Sequence, residues 1–559
     1  MTRAWTADLG DGTYRNPVLN ADWPDPDVIR VGDDYYLTAS SFGRAPGLPI
    51  LHSRDLVNWR IVGHALDRWE PAVAFAVPRH DGGVWAPSIR HHHGRFWIFW
   101  GDPDTGIHQV NAEDVRGPWT RPHLLKAGRG LIDPCPLWDA DGSAYLVHAW
   151  ARSRAGVNNR LTGHRMSSDG TELLDEGRVI IDADALPGWF TLEGPKAYRR
   201  DGWFWIFAPA GGVETGWQGA FRSRDFFGPY EERVVLEQGS TAVNGPHQGA
   251  WVDTPSGEDW FVHFQARGAY GRVVHLQPMR WAADGWPLLG ADGEPVTVHA
   301  KPKGEDQPVE APATDDDFPG GRFGRQWSWT ANPRPGRTTA HSGDGLRLAC
   351  ARTTGVEDLR TVPNVLVQRL PAESCTVTVE LTLDSATPGA RAGLAVLGDT
   401  YSWIGLERGA HGIRLVHRFA ESAGQAAERD AEYARPAPDG RARLRIEVAP
   451  SARCHFSADI GEGPLASGPV FTAGPWRWLG AQLGLFATAP PGRGPAGTAA
   501  FDAFRITPES HDRTARTTAP HHTARTTAPP HRTTAMQDQI PRPKEPPCHS
   551  RRSHAAEPV

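Results

Sequence analysis

Five short segments, far apart in the chain, carry the side chains best suited to chemistry. They are "WPDPD" with Asp25, "VWAPS" with Trp85 and Ala86, "LIDPCP" with Asp133, "LEGPK" with Glu193 and "GPHQGAW" with His247. Three contribute a carboxylate, one an indole and one an imidazole. Carboxyl groups gathered in a low-dielectric pocket push their pKa values apart, so that one stays protonated while another ionises. Such a set can cleave a glycosidic bond. One carboxyl donates a proton to the leaving oxygen. A second activates water or attacks carbon, and a third orients the acid and holds its pKa up. Their separation, which decides between inversion and retention, is not legible in sequence.

The elements that must position these groups show as repeats. Each segment lies one hairpin upstream of a recurrent Gly/Asp–aromatic–aliphatic pattern: "DDYYL" from Asp33, "GRFWI" from Gly94, "GSAYL" from Gly142, "GWFWI" from Gly202 and "GEDWFV" from Gly257. The spacing, roughly 50 to 60 residues, is that of a four-stranded propeller blade. A second echo, "SRDLVNW", "AEDVRGPW" and "SRDFFGPY", reads as an outer strand with its turn. Five occurrences in order favour a five-bladed β-propeller over chance similarity in a β-sandwich. Equivalent innermost strands then bring Asp25, Asp133 and Glu193 to one end of the axis with His247 and Trp85. The prolines beside them suit an inner edge strand, where a missing N–H breaks no ladder bond. Asp22 and Asp27 read as turn or cap residues.

The whole chain is predicted to be all-β. The propeller spans 14–300 and a Pro- and Glu-bearing linker 301–314. A β-sandwich of short alternating strands such as "CTVTVELTL" and "RARLRIEVA" spans 315–508. From 509 to 559 the repetitive polar "HDRTARTTAPHHTARTTAPPHRTTA" and a Pro- and Arg-rich end read as a disordered tail. A length of 559 residues suits two domains with extras. A net charge of −6 on this length gives no electrostatic case for nucleic acid or an anionic membrane. No apolar run approaches a membrane span. The start "MTRAWTADLGDGTYRNP" shows no apolar h-region, and the five cysteines are scattered, so a reduced, cytoplasmic compartment is expected. Tryptophan, at 23 residues against 4 methionines, suits both sheet packing and stacking on sugar rings.

Taken together, "NPVLNADWPDPDVIRVGDDYYLTASSF", "PGLPILHSRDLVNW", "GVWAPSIR", "GLIDPCPLWDADGSAYLVHAW", "LEGPKAYRRDG" and "NGPHQGAWVDT" resemble glycoside hydrolase family 43, in its β-xylosidase and α-L-arabinofuranosidase branch. "DDFPGGRFGRQWSWTANP", from Asp316, resembles the start of the jelly-roll, concanavalin A-like sandwich that follows the propeller in family β-xylosidases. The resemblance implies an inverting mechanism with Asp25 as general base, Glu193 as general acid and Asp133 as the residue that tunes the acid. It implies that Arg272, in "GAYGRVVHLQP", lies near sugar and base, and that His247 holds an axial calcium ion or a water. Phe42, Trp85 and Trp217 become wall residues of the sugar subsites. Gly43, in "SSFGRAPG", departs from the bulkier residue expected there. No cofactor is implied for the chemistry, beyond a structural calcium on the axis. The expected activity is exo-acting release of terminal β-1,4-xylosyl units from xylo-oligosaccharides, with α-L-arabinofuranosyl units second. A carbohydrate-binding protein without catalysis and a structural propeller that binds proteins are the other classes. Retention of all three acids argues against the first, and the axis of the second is more often plugged with neutral or apolar groups.

Overall fold

The computed structural model describes residues 3–509, apart from 339–344, 356–357 and 422–427. The stretch read as a disordered tail lies, from residue 510 on, outside the described residues. Five four-stranded antiparallel sheets follow one another in chain order and form the propeller. Their innermost strands are Asp27–Val31, Trp85–His92, Leu131–Trp138, Lys196–Arg200 and His247–Asp253. The aromatic repeats fall on the second strand of each blade, and the second echo begins where third strands end, at Ser53, Ala112 and Ser223. Gly94 and Gly202 precede second strands in the left-handed region, which the tight hairpin turns require. The ring closes outside the blades. Thr13–Arg15 pairs with Val298–Ala300, and Leu19 exchanges backbone hydrogen bonds with Val274 of the fifth blade.

Most tryptophans are packing residues. Trp23, Trp59, Trp100 and Trp205 are almost fully buried between or beneath blades. Removing one such side chain costs about 3–5 kcal/mol, so the aromatic content is largely explained by the blade interfaces.

The second domain is a sandwich of an eight-stranded and a six-stranded sheet. Period-two patterning builds it. In Cys375–Asp384 and Arg441–Ala449 buried residues alternate with more exposed ones. The sandwich is bonded to the propeller at several points. Ala45 and Trp329 exchange two backbone bonds, Asn332 caps both the N–H and the C=O of Trp69, and Gly480 N–H donates to the Asp22 carboxylate at 2.9 Å. Asp22 and Asp27 are thus structural. Both are buried, and Asp27 is paired with Arg90 at 2.7 Å.

Candidate active site

Each innermost strand begins with the same backbone device. Asp25, Ala86, Asp133, Gly194 and Gln248 all have positive φ, between 34° and 60°. The first four precede a proline and the fifth precedes Gly249. Register shifts at this level in blades two, three and five mark bulges, the usual way to re-aim a side chain at a sheet end. A non-glycine residue held there costs about 1–3 kcal/mol. At Gly194 a Cβ would lie 2.7 Å from Gln248 Cδ, so a side chain there would force Gln248 to move. This register corrects one expectation. Asp25 and Asp133 are equivalent, but Glu193 sits one residue earlier, level with Trp85 and His247.

The three carboxyls have unlike partners. Asp25 is buried and accepts from Ser40 Oγ at 2.6 Å and from Arg272 Nη1 at 2.5 Å. Ser40 Oγ also accepts from Ala86 N–H at 2.7 Å, tying the first blade to the second. Asp133 accepts from Gly194 N–H at 2.8 Å. Burial and the neighbouring Asp25 charge push its pKa up, while the Gly194 amide, Lys196 and Arg272 pull it back. For Glu193 burial leads and the Asp133 charge follows, pushing it up to about 8 with only Arg272 opposing. The Asp133 charge raises the pKa of Glu193, and the Gly194 amide, Lys196 and Arg272 favour the anion on Asp133, so the proton resides on Glu193. The Glu193 side chain keeps 27% of its surface exposed, against 7% for Asp25. Its desolvation is therefore completed only when a ligand fills the pocket.

The raised Glu193 pKa carries a stability consequence. The folded state keeps this proton above the ordinary glutamate value of 4.5, while the unfolded chain releases it. Stability is therefore complete below that value and is lost as pH rises toward about 8. Glu193→Gln is expected to match the wild-type melting temperature at pH 4 and to exceed it at pH 8. The gain is of the order of 2 kcal/mol, and melting curves at the two pH values check it.

A second polar layer lies beneath these acids. Lys196 is fully buried and donates to Pro87 O at 2.9 Å and Ser88 Oγ at 2.8 Å, joining the fourth blade to the second. Arg90 of the second blade reaches Asp27 of the first and Cys135 Sγ of the third. Trp251 N–H of the fifth donates to Tyr198 of the fourth. These bonds fix the relative positions of all five inner strands and leave one ammonium favouring the Asp133 anion. Lys196→Met is expected to move the Asp133–Glu193 proton toward Asp133, lower kcat and raise the basic limb of the pH–rate profile by about one unit.

His247 is 1% exposed, and burial with the nearby Arg272 charge holds its pKa down, to about 3. It is neutral, with Nε2 3.5 Å from Glu193 Oε1. Calcium asks for six to eight oxygen ligands. Among the described residues no group of three or more His, Cys, Asp or Glu side chains could hold a metal ion. His247 is then the one side chain here that could reach an axial ion, and its two ring nitrogens make no hydrogen bond among the described residues, which suits the water of the alternative reading.

The aromatic wall differs in part from expectation. Trp85 is half-buried, whereas Phe42 is 2% exposed and backs Trp85 from 6.2 Å instead of presenting a face. Trp217 is half-buried beside Phe190 at 5.7 Å, and Phe190 is itself exposed. Gly43 is explained by packing, since a Cβ there would lie 2.4 Å from Arg79 O. One aromatic neighbour of Trp85 has no counterpart among the sequence expectations. Trp478 stands in the sandwich segment "GPWRWLG" and meets Trp85 edge-on at 5.6 Å. Two tryptophans in an irregular stretch were its only signal, and nothing local says that this stretch reaches the propeller. A separate cleft of about 400 Å³, walled by Trp5, Trp23 and the linker, includes none of the three acids.

Residues 14–287 match the family described as glycosyl hydrolases family 43. Residues 315–507 match the beta xylosidase C-terminal concanavalin A-like domain. A putative beta-xylosidase of Xylanibacter ruminicola is 40% identical over 411 residues, covering 72% of this chain and 74% of that protein. A non-reducing end alpha-L-arabinofuranosidase of Bacteroides ovatus is 30% identical over 448 residues, covering 74% and 80%. The crystal structure of a xylan beta-1,4-xylosidase from Bacillus halodurans superposes with a TM-score of 0.79 at 24% identity, over 88% of this chain and 99% of that one, a likeness of fold. Matching domains in the same order and relatives of this identity and coverage show that the chain is a glycoside hydrolase and belongs to family 43.

Proposed function

We propose that the protein is an exo-acting, inverting β-xylosidase that removes terminal xylosyl units from the non-reducing ends of xylo-oligosaccharides. The observation that carries this reading is the asymmetry of the carboxyls. Asp25 is clamped by two donors, whereas Glu193 is held protonated beside Asp133 in the same pocket. In the proposed step a water loses its proton to Asp25 as its oxygen bonds to the anomeric carbon. The glycosidic C–O bond breaks, and its oxygen takes the Glu193 proton. Exchange with solvent then returns Asp25 to the anion and Glu193 to the acid. Arg272 keeps Asp25 oriented, and Asp133 keeps the proton on Glu193 until the leaving oxygen claims it. The Trp85–Trp478 contact walls one side of the pocket, which suits a chain end better than the middle of a polymer.

Release of xylose from xylobiose by the purified protein, with the α-anomer appearing first by proton NMR, is the expected result. Failure on xylobiose overturns the substrate reading, and a β-anomer first overturns inversion. A second reading, activity mainly on α-L-arabinofuranosides, is favoured by the named activity of the B. ovatus relative. A panel of nitrophenyl xyloside and arabinofuranoside separates the two. Trp478→Ala is expected to raise KM for xylobiose about fivefold with kcat little changed, the loss of one aromatic contact worth ~1 kcal/mol. Steady-state kinetics checks it.

A further inference from the structure

The junction between the domains holds a small polar cavity that the reaction does not use. Its volume is about 20 Å³, room for one water or one monoatomic ion. Asp22, Ser40, Arg44 and His64 line it from the propeller, and Arg369 and Gln482 from the sandwich. Arg44 is 4% exposed, and among the described residues its Nε and Nη2 make no hydrogen bond. Its Nη1 lies 3.0 Å from Nδ1 of His80, an imidazole that burial and Arg44 itself keep neutral. Arg369 donates Nε to the Asp22 carbonyl at 2.6 Å and lies over the Trp23 ring at 3.5 Å. Among the described residues neither guanidinium has a carboxylate within ion-pair distance. The Asp22 carboxylate is already engaged by the amides of Arg272 and Gly480.

Arg44 and Arg369 line the cavity with the Asp22 carboxylate. Arg369 is half-buried and also borders the larger cleft. Arg44 is buried and holds a positive charge that no carboxylate pairs among the described residues. A buried charge in that condition is costly unless an opposite charge joins it. A neutral water would satisfy donors but not the charge, and the cavity is too small for a carboxylate or phosphate. We propose that this cavity is a binding site for one monoatomic halide anion, chloride in ordinary buffers. The site adjoins the candidate base through two bonds. Ser40 lines the cavity and donates to Asp25. Asp22 lines it and holds the Arg272 amide, whose side chain also holds Asp25. An ion that settles Arg44 and Arg369 therefore steadies both partners of Asp25.

Crystals soaked in bromide and measured at the bromine absorption edge test occupancy directly. An anomalous peak between Arg44 and Arg369 is expected, and a cavity holding only water overturns the proposal. In solution, chloride replaces isethionate at constant ionic strength. A rise in melting temperature of about 2 °C and of kcat/KM of about twofold is expected by linkage, and Arg44→Met should abolish the difference between the salts. Identical melting in both salts overturns the site. The melting and diffraction arms do not depend on which sugar the enzyme cleaves, so their failure is separable from failure of the xylosidase reading.

Discussion

Asp25→Asn is expected to abolish turnover, with kcat falling by ~10³ or more on every glycoside. A neutral amide cannot take a proton from the attacking water, and among the described residues no other carboxyl is bound to both Ser40 and Arg272. The substitution is nearly isosteric. The amide oxygen still accepts from one of these donors, and removal of one charge relieves the repulsion that Asp25 exerts on Asp133 and Glu193. The fold should therefore survive, with a melting temperature a few degrees below that of the wild type, because the largely buried Arg272 guanidinium loses its carboxylate partner. KM should change little, because the interaction lost belongs to the transition state. The loss should be as large on nitrophenyl xyloside as on xylobiose, since both need an activated water. Turnover near the wild-type rate by a folded variant would remove Asp25 from the role of base.

Glu193→Ala is expected to lower kcat on xylobiose by ~10³ while leaving a dinitrophenyl xyloside within about tenfold of wild type. A sugar leaving group needs a proton as the C–O bond breaks, whereas a dinitrophenolate is stable without one. The second signature is in the pH profile. Glu193 works as the acid only while protonated, so wild-type activity on natural substrates should fall as pH rises through about 8. The variant, assayed on the activated glycoside, should lose that basic limb. Equal losses on both substrates, or an unchanged limb, would mean that the proton comes from elsewhere. Asp133 would then be the next group to examine, since it too is buried with a raised pKa.

Asp25 and Asp133 could be found in sequence because each precedes a proline at the head of a blade, and the aromatic repeats mark the blades. Glu193 was found by the same count, but its place in the register was not. Only the backbone shows that Gly194, with positive φ, is the true equivalent of Asp25 and Asp133. Phe42 carried a sound expectation of aromatic character but not of exposure, which depends on the sandwich residues packed over it. His247 was placed at the axis, but ion binding depends on how many oxygens surround it, and a linear pattern does not count neighbours.

Local sequence determined the blade number, the start of each inner strand and the identity of the acids. Blade strands are contiguous, and their hairpins write their period into the chain. Tertiary structure alone shows the unlike surroundings of those candidate acids and the tryptophan that meets Trp85. Which carboxyl keeps the proton follows from Gly194, Lys196 and Arg272, brought together from different blades. Trp478 comes to Trp85 from nearly four hundred residues away, and Arg44 comes to face Arg369 across the domain junction. Both the proton's position and a buried charge depend on the sum of neighbours in space, which no single stretch of sequence contains.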